Sequence, residues 1–270
     1  VRADPAPPLL GVPLPDPLAL RGRGRVGLEE VVEEAARMTR VDRKYLVSRA
    51  VAESFLERLA SSFRVLSIGG RDSTAYSSVY FDTARLDACR DHVQQRRRRW
   101  KVRSRLYVED QLCRFEVKTR DGRGVTHKTV TPSEPARHGR LGPVEAAFVT
   151  RTLDDRGLDV DVASLGATMR VDYRRLTLAD TDDHLRVTLD LGVQCTLEGG
   201  RVWVDEAWVL VETKGGRRPS PADVLLGSLG ARPRSFSKYV SAASLLRADI
   251  PDNDVRQLRG RQLHAREAVA

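Results

Sequence analysis

Lysine is scarce in this 270-residue chain: six of its 46 basic residues are lysine (Lys44, Lys101, Lys118, Lys128, Lys214 and Lys238), and the other 40 are arginine. Cysteine is scarcer. Cys89, Cys113 and Cys195 form an odd, widely spaced set that suits neither a disulfide scaffold nor a Cys-based zinc site. No apolar run approaches the roughly 18–20 residues that a bilayer crossing needs, and six prolines in the first 20 residues break any signal-peptide core. Aromatics make up 6% of the chain, and within the most basic stretch only Trp100 and Tyr107 could serve as stacking platforms for a single-stranded nucleic acid. The five histidines are scattered without ligand spacing. These absences exclude a secreted disulfide-rich domain and predict a soluble, cytoplasmic protein with no transmembrane segment and no specific nucleic-acid partner. What is abundant is charge, at 31% of residues and a formal net +9, alongside 41% hydrophobic residues. That balance suits one large globular domain or two small ones.

Residues 1–25 are rich in proline, glycine and arginine and predict a flexible basic arm. Residues 26–248 carry the patterns of a folded domain, and residues 249–270 predict a basic C-terminal tail, frayed helix or unstructured. An amphipathic helix is expected over Leu28–Met38, its acids early as the helix dipole prefers. A strand at Val41–Val47 leads through a Ser48 cap into a helix to about Phe63, with Val51, Phe55, Leu56 and Leu59 as its stripe. A strand at Ala75–Phe81 and a short helix from Thr83 to His92 follow. Arg99–Val108 and Leu112–Thr119 read as a hairpin, with a third strand near Val125–Val130 and a helix within Pro132–Thr152. Thr168–Leu178 pairs with Leu185–Leu191, and Arg201–Val204 with Ala207–Lys214. Helices at Pro219–Leu229 and Lys238–Ala248 complete the domain. Some eight strands, mostly in hairpins and interleaved with helices, predict an α+β fold built on an antiparallel sheet or barrel.

Side chains alternate faces along a strand, and here five strands repeat one arrangement. Lys101, Arg103 and Arg105 oppose Val102, Ser104 and Leu106; Arg114, Glu116 and Lys118 oppose Phe115 and Val117. Arg170, Asp172 and Arg174 oppose Val171 and Tyr173; Arg186, Thr188 and Asp190 oppose Val187, Leu189 and Leu191; Glu212 and Lys214 oppose Val211 and Thr213. An ordinary solvated face would mix signs, yet Arg96–Lys128 holds twelve Lys/Arg against four Asp/Glu. Like charges facing each other across a sheet are destabilising, so a polyanionic ligand is the economical explanation of such a face. Within that stretch, Arg96–Arg99 reads as a solvated run preceding the strand.

The lysines fall on this pattern: five lie in predicted strands and Lys238 at a helix start. A compact ammonium differs from a planar guanidinium in geometry and hydration, so lysine kept at these points of an arginine-writing chain marks sites that need it. Asp42, Glu116 and Glu212 each stand two residues before a lysine on the same face. They are counter-ions to the cations or ligands for a hard ion, Mg²⁺ or Mn²⁺, held by one or two carboxylates and phosphate oxygens.

Nine segments stand in the order seen in one family: Asp42-Arg-Lys44-Tyr45, Val79-Tyr80-Phe81-Asp82-Thr83, Lys101-Val-Arg103-Ser-Arg105-Leu-Tyr107, Phe115-Glu116-Val-Lys118, His127-Lys128-Thr129, Arg170-Val-Asp-Tyr173-Arg174-Arg175, Arg186-Val-Thr-Leu-Asp190, Val211-Glu212-Thr-Lys214 and Phe236-Ser237-Lys238-Tyr239. From about Arg40 to Ser244 the chain resembles the VTC domain, the polyphosphate polymerase branch of the triphosphate tunnel metalloenzymes and a relative of the CYTH domain. The resemblance implies an eight-stranded antiparallel β-barrel, a triphosphate tunnel, with helices packed around it. It implies phosphate contacts at Lys44, Arg103, Arg105, Lys118, Lys128, Arg174, Arg186 and Lys238, and a Mn²⁺ or Mg²⁺ ion at Glu212. Lys101, Arg170 and Lys214 join the phosphate-binding set from the strand faces, and Glu116 joins Glu212 as a metal candidate.

The implied activity is metal-dependent transfer of the ATP γ-phosphoryl group to polyphosphate. A triphosphatase or nucleotide hydrolase on the same fold, and a non-catalytic polyphosphate-binding module, stay open. Arg40 and Asp42 stand where the relatives' first strand carries two glutamates, which weighs against the hydrolase, and Ser235 stands where the polymerases often carry a lysine. The sequence carries no SPX-like domain, so inositol-phosphate control is not expected of this chain; a membrane-protein partner stays open.

Overall fold

The structure is a computed structural model and describes residues 20–31 and 41–268. In chain order the strands are β1 (Arg25–Val26), β2 (Val41–Ser48), β3 (Arg64–Leu66), β4 (Ser73–Asp82), β5 (Arg99–Tyr107), β6 (Leu112–Arg120), β7 (Thr126–Ser133), β8 (Gly166–Asp180), β9 (Leu185–Leu197), β10 (Gly200–Val204), β11 (Trp208–Gly215) and β12 (Leu263–Arg266). The helices are α1 (Arg49–Arg58), α2 (Asp87–Val93), α3 (Pro143–Asp154), α4 (Pro221–Ser228) and α5 (Lys238–Leu246). The sheet is mostly antiparallel, in the order β12-β10-β9-β8-β4-β5-β6-β7; off this path β11 joins β9 to β2, and β3 joins β8 to β1. The α+β expectation holds. Of the expected closed barrel the structure shows only the sheet: no pairing among the described residues closes it on itself.

The chain falls into two compact units. The first takes in the described residues up to Ala75, Tyr173–Val193 and Val204–Ser235; the second takes in Tyr76–Asp172, Gln194–Trp203 and the described residues from Phe236. In the first unit Tyr45 and Val47 of β2, Val187, Leu189 and Leu191 of β9, and Val209 and Val211 of β11 turn one face into a core with Phe55 and Leu56 of α1 and Leu226 of α4. Alternation leaves the other face of these strands to Asp42, Lys44, Arg186, Thr188, Asp190, Glu212 and Lys214. Ser48 ends β2 and caps α1, accepting from the Val51 amide at 3.3 Å. The helix stops at Arg58, short of the expected Phe63. Arg23, from the predicted arm, donates there to the carbonyls of Leu56, Leu59 (2.8 Å), Ala60 (3.0 Å) and Phe63 (3.1 Å). A cation at a helix C-terminus satisfies orphan carbonyls and favours the dipole. Residues 20–25 are therefore built into the first unit, with Leu20 in its core, while residues 1–19 lie outside the described residues. So does most of the expected Leu28–Met38 helix, of which 28–31 are helical.

In the second unit β4, β5, β6 and β7 form an antiparallel meander. Trp100, Val102, Phe115 and Val117 bury one face of the β5–β6 hairpin against Phe148, Val149 and Leu153 of α3. Each such side chain contributes about 1.5–3 kcal/mol relative to exposure. The helix expected within Pro132–Thr152 begins only at Pro143: β7 continues to Ser133, a single 3₁₀ turn follows at Pro135–Arg137, and Gly139 sits at φ +77° before Pro143 takes a first-turn position.

One expected pairing changes, and so does the expected tail. β10 does not pair with β11; it folds back on β9, with Gly200 opposite Leu197. Glu198 and Gly199 carry φ of +50° and +82°, the two positive values of a type I′ turn. β9 is long enough to give its first part to β11 and its last part to β10. The expected C-terminal tail is largely folded, because Ile250, Val255, Leu258 and Leu263 are buried and β12 pairs with β10.

Candidate functional site

Packing α3 behind the β5–β6 hairpin leaves its other face to charge, and the register sets cations directly opposite one another. Arg99 faces Arg120, Lys101 faces Lys118, and Arg105 faces Arg114; β7 extends the middle row by setting Lys128 beside Lys118. The one acidic position, Glu116, faces Arg103. Glu116 is 2% exposed. Its carboxylate accepts from Arg103 Nε at 2.6 Å, with Arg103 Nη2 also paired to it, and from Lys128 Nζ at 2.8 Å. Burial pushes this carboxyl up, but Arg103, Arg105 and Lys128 prevail and hold it well below the usual range.

Aromatic rings fix the guanidiniums. Arg103 Nη1 donates to the Tyr80 hydroxyl at 3.0 Å, and its Cζ lies 5.7 Å from the Tyr80 ring centre. Tyr80 stacks on Tyr239 at 4.8 Å, and the Tyr239 hydroxyl donates to Asp82 at 2.5 Å. Arg105 donates to Ser78 Oγ at 3.2 Å and lies over the Tyr76 ring. Tyr80 reports the local field: burial raises its pKa, yet Arg103 and Arg105 bring it below the ordinary tyrosine value. Lys101 donates to Ser237 Oγ at 3.0 Å, the hydroxyl that caps α5, so Lys238 stands at the first position of that helix. A cation at a helix N-terminus opposes the dipole and favours an anion nearby. Arg170 pairs locally with Asp172 at 2.9 Å.

The first unit carries its own carboxylate-centred cluster. Glu212 faces Lys44 on β2 and Thr188 on β9, and Lys214 faces Asp42 and Arg186. Lys214 Nζ lies 2.8 Å from Glu212. Arg175 grips Asp190 with two bonds, 2.5 and 2.8 Å, and reaches within 3.9 Å of Glu212. Burial pushes Glu212 up, but Lys214, Lys44 and Arg175 hold it well below the usual range. Burial lowers Lys214 to about 8 against the opposing pull of Glu212.

The sequence singled out Arg174, and the structure brings Arg175 to Glu212. Arg174 shares parity with the core residues Leu176 and Leu178, is buried, and donates to Ser73 Oγ at 3.2 Å. Strict alternation from Arg170 through Arg174 misassigned this strand, because the core face changes parity between Val171 and Leu176. Arg114, Tyr80 and Tyr239 were not singled out either. The Arg105–Arg114 register was legible once the hairpin was aligned; the tyrosines lay in quoted segments but carry no charge.

Among the described residues no group of three or more His, Cys, Asp or Glu side chains could hold a metal ion. Glu116 and Glu212 each already accept from cations, so a hard divalent ion at either would take most of its ligands from phosphate oxygens. Among the described residues no helix is long and apolar enough to cross a membrane.

Solved structures similar to this chain include a candidate adenylate cyclase from Bacillus halodurans (15% identity, TM-score 0.46, 74% of this chain and 96% of that one). Another is a Hippeastrum candidate adenylyl cyclase with a dominant triphosphatase activity (17%, 0.46, 78% and 100%). A third is a Pyrococcus horikoshii protein (10%, 0.40, 75% and 99%). No curated protein matches the chain. The VTC domain model matches residues 39–247, a span that holds both carboxylate-centred clusters and every cationic row described above. The chain belongs to the VTC domain family.

Proposed function

We propose that this chain is a metal-dependent polyphosphate polymerase that transfers the γ-phosphoryl group of ATP to a polyphosphate chain. The observation that carries the proposal is the unbroken row Lys101–Lys118–Lys128 across three neighbouring strands. Such a row is destabilising without a ligand, and a phosphate chain supplies the closely spaced charge that neutralises it.

In the second unit Arg103 and Arg105 clamp non-bridging oxygens, pre-aimed by Tyr80 and Tyr76, while Lys101, Lys118, Lys128, Arg170 and Lys238 supply further positive charge. In the first unit Arg186 acts with Lys44 and Lys214 on phosphate oxygens, and Arg175 beside Glu212 takes the place expected of Arg174, which lies on the face of the core residues Leu176 and Leu178. Phosphoryl transfer spreads charge over the γ-oxygens, so fixed guanidiniums and ammoniums lower the barrier by positioning and electrostatics. The bond from the β–γ bridging oxygen to Pγ breaks, a bond from a terminal oxygen of the acceptor to Pγ forms, and ADP departs. The acceptor oxygen is already anionic, so no base has to remove a proton. Glu212, with Glu116 as a second candidate, would hold Mg²⁺ or Mn²⁺, which neutralises charge on the phosphate oxygens when bound.

The test is incubation of the purified protein with γ-labelled ATP and Mn²⁺, with products resolved on a polyphosphate gel. A ladder of lengthening chains is expected. Labelled orthophosphate without chains would replace the polymerase by the hydrolase, and binding without turnover would leave a polyphosphate-binding module.

A further inference from the structure

The cationic face of the β5–β6 hairpin does not end at the lysine row. Successive side chains on one face lie about 6.8 Å apart along a strand, so cationic positions recur as rungs: Arg105–Arg114, then Arg103 with Glu116, then Lys101–Lys118–Lys128, then Arg99–Arg120. The last rung lies two residues beyond the lysines, toward the Asp121–Val125 turn. We infer that Arg99 and Arg120 form an outer subsite that holds the part of a polyphosphate chain lying beyond a bound triphosphate, so that affinity grows with chain length. The inference rests on the proposed polyphosphate substrate.

Several surface arginines elsewhere have their charge matched locally. Arg25, Arg64, Arg90, Arg137, Arg247 and Arg256 are each paired with a carboxylate. Among the described residues neither Arg99 nor Arg120 has such a partner; Arg99 donates to the Arg96 carbonyl at 2.9 Å. The nearest acid in the turn, Asp121, is occupied: it accepts from the Arg123 and Val125 amides at 2.9 Å each and lies 3.5 Å from His127. The two guanidiniums feel each other, since burial and then Arg120 lower the Arg99 pKa. A half-buried like-charged pair, in line with three other cationic rungs, is an anion site. A linear polyphosphate suits it better than a nucleic acid because no aromatic stands on this part of the face: Trp100 points to the core.

The test compares binding of tripolyphosphate and of a linear polyphosphate many tens of phosphates long. The proteins are the full chain, the double variant Arg99→Gln/Arg120→Gln, and a control of equal charge loss, Arg25→Gln/Arg256→Gln. The outer-rung variant is expected to bind the long chain about tenfold more weakly, the scale of two charge-assisted contacts, with a shallower salt dependence. Its tripolyphosphate affinity stays within about twofold, and Arg99→Lys/Arg120→Lys recovers long-chain binding. Equal losses in the control, equal losses for both ligands, or equal loss of binding to a single-stranded RNA would overturn the subsite while leaving the polymerase standing. A wild-type protein that binds neither phosphate ligand would overturn both.

Discussion

Glu116 stands directly opposite Arg103 and is the sole carboxylate among the cationic rungs of the β5–β6 hairpin. It holds Arg103 and Lys128 at once and so fixes where their charges point before any ligand arrives. Removing one partner of a buried pair costs about 3–5 kcal/mol, and the partial exposure of Arg103 and Lys128 brings the expected loss for Glu116→Gln to about 1–3 kcal/mol. Chemical denaturation measures it. Added tripolyphosphate should recover much of the loss by pairing the released cations, and a variant as stable as the parent would show that the carboxylate holds nothing in place.

Arg103→Ala and Arg105→Ala should each abolish tight triphosphate binding while leaving the fold intact. Charged hydrogen bonds contribute about 1.5–3 kcal/mol each, so dissociation constants should rise roughly 10- to 100-fold. Titration calorimetry with tripolyphosphate reads the change, and circular dichroism reads the fold. Undiminished binding in both would remove the clamp.

Proton linkage gives a prediction with a definite sign. The Lys214 pKa is lowered to about 8 by burial, below that of an unfolded lysine, so its ammonium is fully present only below about pH 8. From there to the unfolded value the unfolded chain binds more protons, and this group makes stability rise with pH. A bound polyanion restores the ammonium, so phosphate binding at pH 9 should take up protons. Lys128 is also lowered, to about 8, by burial, but its side chain is 43% exposed and water weakens its share. Calorimetry in two buffers of different ionisation enthalpy measures the uptake; Lys214→Met should remove most of it.

The depressed carboxyls act at the other end of the scale. Glu116 and Glu212 are both held well below the usual range, so their contribution to stability is full above the unfolded glutamate value and is lost as pH falls through their folded values. Acid unfolding of Glu116→Gln should therefore be less steep than that of the parent.

Glu212→Gln should remove metal dependence of turnover, measured with Mn²⁺, with Mg²⁺ and after EDTA. A variant whose residual activity still responds fully to metal would move the ion away from Glu212. One that matches the parent in EDTA would show that the carboxylate is only a counter-ion to Lys214, Lys44 and Arg175.

Much of the fold was legible in the sequence because one-sided burial writes alternation into a strand. β2, β5, β6, β9 and β11 each have an apolar face and a charged one, and the structure keeps both. The placement of the charged side chains on one face followed wherever alternation held, as at Lys101, Arg103, Glu116 and Glu212. It failed at Arg174–Arg175, where buried positions run consecutively and the pattern no longer marks a face. Long-range pairing was also hidden: β10 and β11 are neighbours in sequence, yet β9 takes both, one after the other. Arg23 looked like part of a basic arm because nothing local shows that α1 will leave its last carbonyls within reach.

Asp82 has a consequence for how the chain matures. Its carboxylate accepts from the Thr83, Ala88 and Cys89 amides at 2.8, 3.0 and 3.0 Å and from the Tyr239 hydroxyl. Three donors emerge from the ribosome almost with it; the fourth lies 157 residues later. The second unit cannot complete this buried knot until α5 has been synthesised. Chains interrupted before Tyr239 would hold Asp82 with one donor missing, and loop closure over such a separation is slow. The last segments to be made thus complete the support beneath Tyr80, and through it the seat of Arg103.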